Sequence, residues 1–161
     1  MASFDVVSKV QMHEVDNALQ QTAKEIATRY DFRDTETSIE RTEEGIVLRS
    51  NSEGRLEAAL QVLQEKCVRR KVSLKSIDPQ KPEPAGGSAF RQLIKINQGL
   101  SMEKAKEVVK FLKGVGLKVQ GAIQADQVRV TGAKKDILQQ AIAAMRNHDF
   151  GVELQFENYR D

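Results

Sequence analysis

The sequence predicts an α+β protein of two ferredoxin-like repeats, each an antiparallel four-stranded sheet with two helices on one face. Two observations predict it. All three prolines fall within six positions (Pro79, Pro82, Pro84) and are followed by Gly86, Gly87 and Ser88. On either side of that break the hydrophobic periodicity repeats one order: strand, helix, strand, strand, helix, strand. A βαββαβ unit folds most readily as a split β-α-β. The chain therefore divides into a first repeat at 1–78, a Pro/Gly linker at 79–88 and a second repeat at 89–161. Proline removes an amide donor and glycine adds freedom, so residues 78–88 are expected neither to pair into a sheet nor to continue a helix.

Each element has its own signal. Residues 3–10 read as a strand, with Phe4, Val6 and Val10 alternating. A helix follows over 13–30, where Val15, Leu19, Ala23, Ile26 and Tyr30 recur every three or four residues. Strands at 35–41 and 46–51 flank the turn Glu43-Glu44-Gly45. A second helix spans 53–70, and a β-branched strand at 72–77 closes the half. In the second half 90–97 is a strand. Ser101 caps a helix that buries Met102, Ala105, Val109 and Leu112 and ends at Gly114 and Gly116. A hairpin of 117–125 and 128–131 turns at Asp126-Gln127. A helix at 134–147 buries Leu138, Ala141, Ile142 and Met145, and Gly151 opens a last strand at 152–156.

Composition excludes several function classes. Of the 161 residues 40% are hydrophobic and 30% charged, ordinary for a globular protein. No run is long or apolar enough to cross a bilayer, and residues 1–10 hold an Asp and no signal-peptide core. The expected location is the cytosol, with no membrane partner. Cys67 is the only cysteine and shares a helical face with Leu56, Leu60 and Leu63, which makes it a core residue. His13 and His148 have no partner at metal-ligand spacing, so no metal and no cofactor is expected. The sequence has no nucleophile elbow, no Cys/His pair and no acid-base constellation. A likeness of residues 116–121 to an acylphosphatase loop fails because it lies in a hairpin strand.

The charge is uneven. Residues 1–78 hold 12 Lys/Arg against 14 Asp/Glu, whereas 89–161 hold 12 against 8. An anion would thus meet the second half. There, Thr131-Gly132-Ala133-Lys134-Lys135 runs from a strand into a helix start, where free amides and the helix dipole favour a phosphate. A solvated helix start is the plainer reading. Along 117–125 one face holds Leu117, Val119, Gly121 and Ile123, and the other Lys118, Gln120, Ala122 and Gln124. Strand alternation places Lys118, Gln120 and Arg129 on one uncovered face, with Lys95 and Asn97 from the preceding strand beside them. Such a surface suits phosphates and base edges. A face packed or solvated without a ligand is the competing reading. The aromatic platform of RNA-binding ferredoxin-like domains is missing, because Phe4, Phe90 and Phe156 alternate with core residues. Only Arg91 and Tyr159, near strand ends, approach it.

Several segments together carry a resemblance. They are Ser3-Phe4-Asp5-Val6-Val7-Ser8, Tyr30-Asp31-Phe32, Ile96-Asn97-Gln98-Gly99-Leu100-Ser101 and Leu117-Lys118-Val119-Gln120. Gln127-Val128-Arg129-Val130-Thr131-Gly132 and the ending Leu154-Gln155-Phe156-Glu157-Asn158-Tyr159-Arg160 complete the set. In this order, over essentially the whole chain, they resemble the bacterial YajQ family. The resemblance implies two ferredoxin-like repeats that exchange N-terminal strands, so that strand 3–10 completes the other repeat's sheet. It also implies a nucleotide-binding protein, with nucleoside triphosphates such as GTP and ATP, cyclic-di-GMP and RNA as ligands. Residues 132–139 depart from the family's Gly-Lys-Lys-Arg-Asp-Asp-Leu-Gln run and lose a basic and an acidic position, which weakens phosphate contact there. The combined expectation is a non-catalytic nucleotide-binding protein using Lys95, Asn97, Lys118, Gln120, Arg129, Lys134 and Lys135. An RNA-binding module and a protein-interaction scaffold are the alternatives.

Overall fold

The computed structural model describes residues 1–161. In chain order the elements are β1 (Ala2–Val7), α1 (Met12–Thr28), β2 (Ser38–Thr42), β3 (Gly45–Ser50), α2 (Glu53–Arg69), β4 (Ile77–Pro79) and β5 (Glu83–Pro84). The second half adds β6 (Phe90–Ile96), α3 (Met102–Gly114), β7 (Val119–Gln124), β8 (Gln127–Gly132), α4 (Lys135–Arg146) and β9 (Gln155–Arg160). Short 3-10 turns stand at Tyr30–Phe32 and Leu74–Ser76.

The strands form two antiparallel sheets. One has the order β7-β8-β1-β9; the other has β2-β3-β6-β4, with β5 also paired to β6. Each follows the ferredoxin-like order, and in each the central first strand comes from the other half of the chain. The compact units are accordingly Val10–Ile96 and a split unit of Met1–Lys9 with Asn97–Asp161. They do not follow a division at 1–78 and 89–161, because β1 and β6 cross it.

The Pro/Gly stretch makes that crossing. Residues 79–88 are not an unpaired linker: Asp78 and Pro79 pair with Lys95 and Ile94, and Glu83 and Pro84 with Arg91 and Phe90. β4 is an edge strand, where a missing proline N–H breaks no ladder bond. Gly86 and Gly87 both have positive φ, and the Ala85 amide donates to the Ala89 carbonyl at 3.0 Å. The stretch is a hairpin that returns β6 antiparallel onto its predecessor.

In the continuous unit Ile46, Leu48 and Ile94 face Val15, Ala18, Leu56, Leu63 and Cys67 from the two helices. Cys67 has no solvent exposure, and burial pushes its thiol up to about 11. In the split unit Phe4, Val6, Val128 and Val130 face Ala105, Val108, Leu112, Leu138 and Ile142. The Phe4 and Phe156 rings meet edge-on at 5.9 Å.

Some elements shift from their expected bounds. The strand expected at 35–41 starts only at Ser38, because the Thr35 and Thr37 hydroxyls bond each other and hold a turn. No strand runs over 72–77: Lys71 has φ 61, the Ser73 side chain caps a 3-10 turn, and pairing begins at Ile77. The second hairpin turns at Ala125-Asp126, since Gln124 pairs with Gln127. The last strand is Gln155–Arg160, not 152–156, because the Asp149 carboxylate accepts the Gly151 amide at 2.8 Å and holds a bend first. No helix is long and apolar enough to cross a membrane.

Candidate functional site

The face of the β7-β8-β1-β9 sheet turned away from its helices is polar in rows. Gln120, Thr131, Ser3 and Arg160 are successive cross-strand partners, and Ala122, Arg129, Asp5 and Glu157 form the next row. Cross-strand partners share a face, so the alternation that buries Val128 and Val130 turns Arg129 and Thr131 outward.

Arg129 is already engaged. Its Nε donates to Asp5 Oδ1 at 3.0 Å, and Asn158 Nδ2 donates to Asp5 Oδ2 at 2.8 Å. Asp5 is 4% exposed. Burial by itself raises the Asp5 carboxyl, but hydrogen bonds from Arg129 and Asn158 and the charges of Arg129 and Arg160 outweigh it and leave it below its ordinary value. The same hydrogen bond raises the Arg129 guanidinium. A buried carboxylate with three donor atoms aimed at it is a fixed structural post. Arg129 therefore holds the sheet face together, its charge balanced by Asp5.

The free cations lie at one end of this sheet. Val119 pairs with Gly132, and Ser3 with Arg160. Lys118 before β7, Lys134 and Lys135 after β8, and Arg160 near the end of β9 thus stand at the same end. Lys118, Lys134 and Arg160 make no ion pair, and Lys135 meets only Asp161, at 2.8 Å between largely exposed side chains. Lys134 occupies the N-cap of α4 without a side-chain cap bond, so the first amides of that helix have no protein side chain to accept from them. A cleft of about 340 Å³ opens beside it, lined by Ser3, Lys135, Leu138, Gln139, Tyr159 and Arg160 among others. Tyr159 is 56% exposed there.

Of the expected site residues, Lys118, Gln120, Lys134 and Lys135 lie at the same end of the β7-β8-β1-β9 sheet, with Arg129 one row further in. Of these only Lys135 lines the cleft. Lys95 and Asn97 do not join them on that face. Lys95 lies on β6 in the other sheet, opposite Asp78, and Asn97 follows the end of that strand. The reason is the exchange of β1 and β6, which alternation within a strand does not reveal. Sequence reasoning also passed over Ser3, Arg160 and the Asp5–Asn158 bond. The one signal for them is Asp5 set among the buried residues of β1.

Residues 2–160 match the family model described as "Nucleotide-binding protein YajQ-like". The chain belongs to the YajQ-like family. A relative from Anaeromyxobacter sp. strain K, named nucleotide-binding protein, is 55% identical over 100% of both chains. Similarly named relatives from Acidithiobacillus ferrooxidans and Desulfitobacterium hafniense are 48% and 47% identical over 98% or more of each chain. The YajQ-like match covers both units, so the exchanged strands and the cationic sheet end both lie within it.

Proposed function

We propose that the protein binds a nucleotide through its phosphates at the cationic end of the split unit, without transforming it. The observation that supports this reading is that Lys118, Lys134, Lys135 and Arg160 lie at the sheet end where α4 starts uncapped, with Lys135 and Arg160 lining one cleft there. Lysine at a helix N-terminus opposes the macrodipole, and an anion there satisfies both the amides and the ammonium groups. Asp136 and Asp161 are the acids at that end, so positive charge predominates. Gln120 and the Ser3 hydroxyl supply neutral hydrogen-bonding groups, and Tyr159 a flat apolar surface for a base. The family name agrees with nucleotide binding.

A ligand with two or more phosphate charges fits best, such as cyclic-di-GMP, GTP or ATP. The absence of aromatic residues in the polar rows argues against stacked RNA on this face. Isothermal titration with each ligand at near-physiological salt tests the proposal. A Lys134→Ala/Lys135→Ala protein is expected to bind at least about tenfold more weakly, the loss of one to two charge-assisted contacts. No binding of any of the three, or unchanged affinity in the double variant, would overturn it. Single-stranded RNA as the tighter ligand, with a steep salt dependence, would favour the RNA reading.

A further inference from the structure

The Tyr30-Asp31-Phe32 segment takes no part in the site above, yet its Phe32 lines a larger cleft in the continuous unit. We infer that this cleft, between the C-terminal turns of α1 and the start of β2, is a second nucleotide site that takes a nucleoside monophosphate. It measures about 480 Å³, within the usual range for small-ligand sites. One wall is apolar: Ala23, Ile26 and Ala27 of α1, with Phe32 and Ile39 across from them. The rim carries Arg29, Arg33, Asp34 and Glu36.

The rim is built rigidly. Arg29 donates from Nε and Nη2 to the Asp31 carboxylate at 3.0 and 2.7 Å, and from Nη1 to Glu25 at 3.1 Å. Its guanidinium lies 5.0 Å over the Phe32 ring. Arg55 and Lys66 close the same network on Asp31 and Glu25. On the loop side the Thr35 hydroxyl donates to the Phe32 carbonyl at 2.6 Å, and Asn51 Nδ2 donates to the Asp34 carbonyl at 3.1 Å. Within this frame Asp34 and Glu36 are held at φ 59 and 53, a left-handed backbone that glutamate seldom adopts. Such conformations persist only where the surroundings impose them, and they cluster at ligand sites.

The charges define the ligand. Arg29, Arg55 and Lys66 are committed to carboxylates, but Arg33 makes no ion pair and rests 5.7 Å over the ring of Tyr30, which is 82% exposed. One free guanidinium matches one phosphate. The apolar wall matches a base, and the Tyr30 ring beneath Arg33, outside the cleft lining, reports on that guanidinium. The Asp34 and Glu36 carboxylates suit ribose hydroxyls or an exocyclic amine, and they disfavour further negative charge. This preference is opposite to that of the lysine-rich end of the split unit.

The chain offers a direct probe, since it has two tyrosines and no tryptophan. In a Tyr159→Phe protein Tyr30 is the only tyrosine reporter. Titration with AMP is expected to change its emission saturably, and Arg33→Ala to weaken that response about tenfold, as expected for a lost charge-assisted contact. ATP is expected to bind this cleft more weakly than AMP. Lys134→Ala/Lys135→Ala should leave the Tyr30 response intact while removing polyphosphate binding, which separates failure here from failure of the first site. An unresponsive Tyr30, an Arg33→Ala protein with unchanged affinity, ATP bound more tightly than AMP, or loss of the response in the double-lysine variant would each overturn the inference.

Discussion

At the scale of single residues, Asp5 shows how one buried charge ties the split unit together. Its carboxylate joins β8 through Arg129 and β9 through Asn158, partners more than a hundred positions away in the chain. In the unfolded chain its pKa is about 3.9, and in the folded protein it is lower. The bonded carboxylate therefore stabilises the fold above the unfolded value, and this stability is lost as pH falls through the folded one. Asp5→Asn is expected to lower stability at neutral pH by about 1.5–3 kcal/mol, the range for hydrogen bonds to a charged group. Urea midpoints measured against pH should converge between wild type and variant in acid. Glu14, Glu25 and Asp31 are also held below their ordinary values, so the difference between the two proteins isolates Asp5. A gap that stays constant at low pH would show that shape, not ionisation, carries the effect. Alternation along 127–132 was enough to place Arg129 on the outward face. Its partner was not legible, because it depends on a strand pairing between opposite ends of the chain.

At the scale of elements, the helix starts contrast stability with function. Ser101 and Ser52 each accept the amide three residues on, at 3.1 Å, whereas Lys134 begins α4 with no such bond. A serine cap is worth about 1 kcal/mol, and removing a lysine from the positive end of the dipole adds to it. Lys134→Ser is therefore expected to raise the unfolding free energy by about 1 kcal/mol while weakening nucleotide binding. Thermal melts and titrations on the same sample check both signs, and a variant that gains stability without losing affinity would remove Lys134 from the site. The four helices were legible from their 3.6-residue stripes, and the Ser101 cap from its position, but two stripes differ in detail. Met102 stands exposed at the first turn of α3 with Val108 buried where Val109 was expected, and Tyr30 is exposed beyond the end of α1. The short strands were less legible. Prolines at 79, 82 and 84 mask pairing that an edge strand permits, and Gly86-Gly87 is compatible with a hairpin as well as with a linker. Gly99 is a clearer case: its φ is +80, and the Asp126 carboxylate stands where a Cβ would lie.

At the scale of the whole molecule, duplication was legible in the hydrophobic pattern, whereas the exchange of N-terminal strands, which the structure bears out, was legible only through the resemblance to the YajQ family. β1 and β6 present the same apolar alternation, so either satisfies either core, and nothing local says which sheet each completes. The hairpin at Gly86-Gly87 decides it by delivering β6 antiparallel onto β4. Two fragment experiments follow from this topology. Residues 10–96 include every strand of the β2-β3-β6-β4 sheet and both of its helices in one uninterrupted run. That fragment is expected to unfold cooperatively, since a domain of this size buries enough surface to stand alone. Residues 1–87 respect the apparent repeat boundary but lack β6, the central strand between β3 and β4. They leave Ile46 and Leu48 without Ile94 opposite, and are expected to lack a cooperative transition. Adding residues 88–161 should restore the transition by supplying β6 while gaining β1 in return. Circular dichroism melts of the three samples distinguish the cases. A cooperative melt for 1–87 alone would mean that β1 can serve its own half, and that the exchange is a choice between nearly equal pairings.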